Sequence, residues 1–310
     1  MANISVIILT FNEELNIKNA IKSVLDWADE IFVLDSFSTD NTASEVASFD
    51  SPKVFFYQHA FEDFSKQWNW ALKNLPVKSD WTLKLDADER VTKEFIAECS
   101  VLFDDDGISG IYFRRKMFFM GEPLWYGGFS STYVLHLWRT GAGAFEDRSV
   151  NEHLLVDGPT IKVSSFIEHY DFKSLSDWIE KHNRYSSMEA SASLENNVCG
   201  DIQPKFFGNE DERRIFFKNI YWKTPFKNLI YFVYKYVFKK AFLNGKVGFV
   251  YCLLHAVYRY WIGLKIEEYN KTGKWPTISW PRRGSPDTRA INYDSLIKKD
   301  YIYETSSSEP

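Results

Sequence analysis

The sequence predicts an α/β protein built on a doubly wound, mostly parallel sheet. Three observations predict it. Apolar strand-like runs alternate with helix-like segments over short connections, the first run is almost continuously β-branched, and the second and fourth runs each end in aspartate.

Ile4-Ser5-Val6-Ile7-Ile8-Leu9 reads as a strand covered on both faces. Asn12 is expected to cap a helix reaching about Trp27, with Glu13 and Glu14 in its first turn. Glu30 to Asp35 is a second strand, and the polar turn Ser36 to Thr42 feeds another helix. Val54 to Tyr57 is a third strand, Lys66 to Leu75 a third helix, and Trp81 to Asp86 a fourth strand.

Leu85-Asp86-Ala87-Asp88-Glu89-Arg90 is the most informative run. In an open α/β sheet, ligands bind beyond the carboxyl ends of the strands. Carboxylates two residues apart on an extended strand end point the same way. They repel unless a cation lies between them, which suits a hard divalent ion that carries phosphates. Asp-x-Asp is common in surface turns, so its weight comes from the apolar strand before it.

Several nucleotide-binding classes are excluded. No Gly-x-Gly-x-x-Gly follows the first strand and no Walker A sequence occurs. A sugar nucleotidyltransferase needs a Gly-rich basic loop where this chain has the acidic Thr10-Phe11-Asn12-Glu13-Glu14.

Aromatic residues make up 17% of the chain. Net charge is −5, but Arg213 to Ile266 holds 11 Lys or Arg and no acid, against 26 basic and 42 acidic residues elsewhere. That separation predicts two functional surfaces. Aromatics with one sign of charge suit the interface of an anionic membrane; packing on the catalytic core is the alternative. The longest charge-free stretch, Val247 to Tyr258, is 12 residues, and so the segment is not expected to span. No nucleic-acid motif appears, so no nucleic-acid partner is expected. Cys99, Cys199 and Cys252 match no metal spacing, which with the absence of a basic leader predicts a reduced, cytoplasmic setting.

Thr10-Phe11-Asn12-Glu13-Glu14, Asp35-Ser36-Phe37-Ser38-Thr39-Asp40-Asn41-Thr42 and Leu85 to Arg90, in this order, resemble the three opening signatures of family 2 glycosyltransferases, which have the GT-A fold. Gln67, Asn69, Arg139, Asn151-Glu152-His153, His169-Tyr170 and Lys181 to Tyr185 further resemble the lipopolysaccharide-core β-1,4-glucosyltransferase group. The likeness covers residues 3 to 195 well and continues loosely to about 266. It implies a catalytic domain over 1–200, a basic aromatic membrane-associating region over 201–275 and a tail over 276–310.

The resemblance implies inverting transfer of a sugar, glucose in that group, from a UDP-sugar with Mn²⁺ or Mg²⁺. The acceptor is a glycolipid or lipopolysaccharide-type saccharide at the inner face of the cytoplasmic membrane. Carried over, Thr10, Asn12 and Glu13 lie near the base and ribose, Asp35 near the uracil, and Gln67 and Asn69 in the donor site. Asp86 lies near ribose and metal, Asp88 ligates the metal, and His169 is a further candidate ligand. Apart from the resemblance, Leu175, Trp178, Ile179, His182, Tyr185 and Met188 follow helical spacing and predict an amphipathic helix, with Lys181 and Arg184 off its apolar stripe, either to meet phosphates or as a solvated face. Phe37 departs from the small residue usual in its loop, which alters the expected pocket shape.

Inverting transfer needs one carboxylate to take the acceptor hydroxyl's proton. The Asn-Glu-His pattern nominates Glu152, and the Glu-Asp pair of other family members nominates Asp147. Glu152 is preferred.

Overall fold

The computed structural model of the 310-residue chain describes residues 3–146, 154–171, 173–199, 207, 224 and 226–277. The chain divides into two compact units. One takes in residues through Phe118 and Ser130–Asp171, and the other takes in Phe119–Phe129 and the described residues from 173 to 277.

In the first unit, β1 (Ile4–Thr10), β2 (Glu30–Asp35), β3 (Val54–Gln58) and β4 (Trp81–Asp86) are parallel and lie in the order β3-β2-β1-β4. The alternation of the strand dictates its two cores. Ile4, Val6 and Ile8 of β1 join Ile31 and Val33 in one cluster, and Ile7 joins Phe32, Leu34 and Trp68 in the other. α1 (Ile17–Val24) covers the first face with Ile17, Ala20, Ile21 and Val24, at helical spacing. α2 (Thr42–Ala47) follows β2. α3 (Phe64–Asn74) starts where the Asp63 side chain accepts from Lys66 N at 2.8 Å, and it buries Trp68 and Ala71. α4 (Lys93–Ser100) is capped in the same way by Thr92.

The rest of the sheet is mixed rather than parallel. β8 (Tyr133–Arg139) runs antiparallel to β4, β6 (Gly110–Phe119) antiparallel to β8, and β11 (Thr160–His169) parallel to β6. The two-residue β5 (Glu89–Arg90) closes the edge against β11. The other short strands are β7 (Glu122–Pro123), β9 (Gly143–Phe145) and β10 (Leu154–Val156), and β9 and β10 pair with each other.

α3 begins two residues before the expected Lys66, and the first helix start differs more. α1 begins at Ile17 and Asn12 does not cap it, because Asn12 sits in the left-handed region at φ 55° and spends its side chain on the Ser38–Thr39 loop.

The second unit contains α5 (Leu175–Cys199), α6 (Lys227–Val233), helical turns at Tyr234–Phe238 and Ala241–Asn244, and α7 (Gly245–Thr272). α5 and α7 are joined by specific bonds. Tyr258 Oη donates to Glu189 at 2.6 Å, and Lys265 Nζ reaches Asn183 O, Ser186 Oγ and Ser187 Oγ at 2.7 Å each. The apolar stripe expected on α5 holds at Trp178, His182 and Met188, which are buried, but not at Leu175 and Ile179, which are exposed. His255 lies among the rings of Tyr251, His182 and Tyr258; desolvation, with His182 and nearby cations, holds it down to about 3, so it is neutral.

α7 continues from the helical turn at Ala241–Asn244. Ala241–Thr272 is long and apolar enough to cross a membrane by length and composition alone, at mean hydropathy 1.2 with 33% of its most apolar window buried. The core helix of a soluble protein passes the same test.

Candidate active site

The strand order reverses between β1 and β4, and that switch point is where an open α/β sheet binds its ligands. Register places Thr10 opposite Asp35 and Leu9 opposite Asp86, so three of the expected residues line up along one carboxyl edge.

On the β1–β2 side, two loops interlock. Asn12 N donates to Ser38 Oγ at 2.8 Å, and Thr39 N donates to Asn12 Oδ1 at 2.8 Å. Glu13 N donates to Thr42 Oγ1 at 2.8 Å, and Asn41 N to Glu14 at 3.0 Å. Asp35 is fully buried and accepts from Ser38 N at 2.9 Å, Gln58 Nε2 at 2.8 Å and the Ser38 hydroxyl. Its carboxylate therefore shapes the turn it begins. Phe37, the unusual residue of this loop, is buried at φ 59°. With Asn12 it makes two non-glycine left-handed residues in facing loops, a strain that the interlocking bonds sustain. Thr10 Oγ1 is buried with no partner among the described residues.

Gln67 and Asn69 on α3 face inward. Gln67 bonds His59 Nδ1 at 2.8 Å, and Asn69 clasps the backbone of Phe145 through both amide atoms. Ser65 Oγ donates to Glu146 O at 2.6 Å, so α3 fixes the chain just before Asp147 and Glu152. Those two acids lie outside the described residues. Arg139 is a structural residue, donating to Ile108 O at 2.8 Å and Asp105 O at 2.9 Å over the Trp81 ring. Arg184 belongs to α5 of the second unit and pairs with Glu180 at 2.8 Å; Lys181 of the same helix lies over the Tyr185 ring at 5.7 Å.

The β4–β5 side carries the densest chemistry. The pairing of β5 with β11 sets His169 opposite Glu89, and Tyr170 N donates to Asp88 O at 2.8 Å. This brings His169 Nε2 to 3.3 Å from Asp88 Oδ2. Asp88, His169 and Asp171 offer ligand atoms that all lie within 4.8 Å of one another. Burial alone would lower the His169 pKa, but Asp88, with Glu89 and Asp171, raises it to about 9. Asp86 stands outside this trio, 3.7 Å from Arg115 Nη1.

Four residues under the site, Glu89, Arg115, His136 and Lys84, were given no role in the sequence. Glu89 is fully buried, accepts from Asp86 N at 3.0 Å and lies 3.5 Å from Arg115. Burial and the neighbouring Asp86 push its carboxyl up, and Arg115 opposes them. His136 is kept neutral by burial and by Lys84 and Arg115. Lys84 lies over the Trp68 and Phe145 rings at 4.9 and 5.3 Å. The trio's third member, Asp171, was also missed. His169 and Asp171 repeat the i, i+2 spacing of Asp86 and Asp88 at another strand end, and that was its available signal.

The sheet agrees with the family found by comparison with known proteins. The family model "Glycosyl transferase family 2" matches residues 5–165, more than half the chain. The lipopolysaccharide core biosynthesis glycosyltransferase LpsC of Rhizobium meliloti (strain 1021) is 26% identical over 89% of this chain and 96% of its own. An uncharacterized glycosyltransferase of Rickettsia bellii (strain RML369-C) is 37% identical over 32% of each chain. Among solved structures, S. aureus TarS (residues 1–349) aligns over 88% of this chain and 92% of its own at 14% identity and a TM-score of 0.41. Glucosyl-3-phosphoglycerate synthase from Mycobacterium tuberculosis aligns over 37% of this chain and 44% of its own at 21% identity and a TM-score of 0.31. Both structures superpose loosely, so the assignment rests on the family model together with the sheet and its switch point. On that ground the chain belongs to glycosyl transferase family 2 and is a glycosyltransferase of GT-A fold.

Proposed function

We propose that the protein transfers glucose from UDP-glucose, with inversion, to a lipid-linked or lipopolysaccharide-type saccharide at the inner face of the cytoplasmic membrane. The observation that carries this reading is the Asp88–His169–Asp171 trio at the carboxyl edge, beside Asp86 and the interlocked β1–β2 loops. The acceptor class is supported by the lipopolysaccharide core relative, which aligns over nearly its whole length. The donor sugar follows the resemblance of the sequence motifs.

The residues present fit a divalent cation. Two carboxylates and an imidazole form a mixed oxygen and nitrogen donor set suited to Mn²⁺ or Mg²⁺. His169 Nδ1 is buried with no partner among the described residues, so the ring's hydrogen bonding is incomplete as it stands. Asp88, His169 and Asp171 would hold the ion, with Asp86 near the ribose. Bound there, the ion supplies Lewis-acid stabilisation of charge on the leaving diphosphate. The chain's residues do the rest. Thr10, Asn12 and Glu13 hold the nucleoside in a pocket already fixed by the two loops, and Asp35 keeps that pocket in shape. Arg115 spreads positive charge beneath Asp86 and Glu89. Glu152, or Asp147 in its place, accepts the acceptor hydroxyl's proton opposite the leaving group. The basic aromatic region holds the enzyme to the membrane that carries its acceptor.

A screen of nucleotide sugars for metal-dependent release of nucleoside diphosphate tests the reading. UDP-glucose is expected to give the highest release, suppressed by chelator. Equal release with and without chelator, or none from any UDP-sugar, contradicts it.

A further inference from the structure

Two segments more than a hundred residues apart are locked together within the second unit. Gly127 N donates to Lys239 O at 2.8 Å, Tyr126 N to Asn244 Oδ1 at 3.1 Å, and Asn244 Nδ2 to Tyr126 O at 3.0 Å. Lys235 Nζ adds a bond to Gly127 O at 3.0 Å. The joint is tight around Ala241, which is fully buried. A Cβ on Gly127 would lie 3.0 Å from Ala241 Cβ, and one on Gly248 would lie 2.1 Å from Ala241 O. Such packing leaves little freedom for the turns it joins.

That fixed joint presents large apolar side chains to solvent. Trp125 is 60% exposed, Phe238 73% and Leu243 51%, with Tyr126 and Phe242 each 45%. Clustered exposed apolar residues mark a contact surface. Lys239, Lys240 and Lys246 are interleaved and exposed, and Glu122 is the one acid in the two segments. Lys240 and Gly245 adopt left-handed φ of 59° and 65°, which turns the chain sharply on either side of Phe242. Trp and Tyr beside Lys, around a tip of Phe and Leu, is the composition of a lipid–water interface.

We propose that Trp125, Tyr126, Phe238, Phe242 and Leu243, flanked by Lys239 and Lys240, form one rigid anchor that inserts shallowly into an anionic lipid surface. The anchor uses two side chains from a segment that follows β6, outside the basic region recognised in the sequence. Charge complementarity selects the lipid, because each lysine near an anionic surface adds attraction and the anchor carries almost no opposing charge. The inference rests on the proposed function, whose acceptor is held in a membrane, and it names how the enzyme reaches that membrane.

Flotation of the full chain with phosphatidylcholine vesicles, with and without phosphatidylglycerol, tests it. The wild-type protein is expected to float with the anionic vesicles and hardly with the neutral ones. The triple variant Trp125→Ser, Phe238→Ser, Phe242→Ser is expected to stay behind. Lys239→Gln with Lys240→Gln is expected to weaken anionic binding about fivefold per lysine. Leu253→Ser with Leu264→Ser, on the exposed stripe of α7, is expected to float as wild type. Melting curves and UDP titration on the same samples show whether each variant is folded. A folded triple variant that floats normally, or loss of flotation only in the α7 variant, overturns the anchor. So does wild-type protein that ignores anionic vesicles at low salt, or that self-associates through these residues in sedimentation instead. Failure of the wild-type protein to bind UDP would count against the transferase reading and leave the flotation result standing.

Discussion

His169 Nε2 lies 3.3 Å from Asp88 Oδ2, although the two residues are 81 positions apart. The contact exists because β5 turns back from β4 and pairs with the end of β11, and Tyr170 N ties the same corner to Asp88 O at 2.8 Å. The corner that carries the candidate ligands is thereby assembled from two strand ends, and backbone bonds fix where their Cα atoms lie. Arg90 stacked on the Tyr170 ring at 3.7 Å adds a second brace.

Asp171 is expected to be a ligand equal in rank to His169. Asp171→Asn should weaken Mn²⁺-supported UDP binding by at least about tenfold, while leaving binding in chelator unchanged. Asp86→Asn should cost less of the metal dependence, because Asp86 lies by Arg115 and outside the trio. Calorimetric titration of both variants checks the ranking. A larger loss in Asp86→Asn would return the ion to the Asp86–Asp88 pair.

The base is expected to be Glu152. Glu152→Gln keeps size and polarity but cannot take the proton, so UDP affinity should survive while transfer falls about 100- to 10,000-fold. Transfer assays on Glu152→Gln and Asp147→Asn, with product stereochemistry by NMR, check the assignment. Near wild-type transfer in the first and loss in the second would make Asp147 the base.

Glu98 should give the first unit an acid-sensitive contact. Partial burial alone would raise its carboxyl, but bonds from Ser164 and Ser165, including their amides at 2.8 Å each, outweigh it and hold the pKa down to about 2. A carboxyl lowered in the folded state contributes stability that is fully present above its unfolded value, and loses it as pH falls toward the folded one. Glu98→Gln should therefore lower Tm by a few degrees at pH 7, and the gap to wild type should close between about pH 4.5 and 2. Melting curves across that range check it; a gap independent of pH would mean that the contact acts by shape alone.

The parallel half of the fold was legible because β1, β2 and β4 are covered on both faces. β2 and β4 fall on the expected residues, and Asp35 and Asp86 end them as expected. The mixed half was not legible, since β6, β8 and β11 carry partly exposed polar positions that blur their period. His169 was singled out by resemblance, but its pairing with Asp88 depends on the two-residue β5, too short to leave a pattern. Asn12 misled because a good capping residue is also one of the few that tolerates the left-handed region. Glu89 was read as a neighbour of the motif, and only the fold shows it buried beneath Asp86 with Arg115.

The central claim is that a divalent ion held by Asp88 recruits the nucleotide. Its most direct test is calorimetric titration of UDP into wild-type protein and Asp88→Asn, each with Mn²⁺ and with chelator. Wild type should bind UDP far more tightly with Mn²⁺ than with chelator, and Asp88→Asn should lose most of that difference while remaining folded by its melting curve. UDP affinity that is the same with Mn²⁺ and with chelator, in both proteins, would contradict the account.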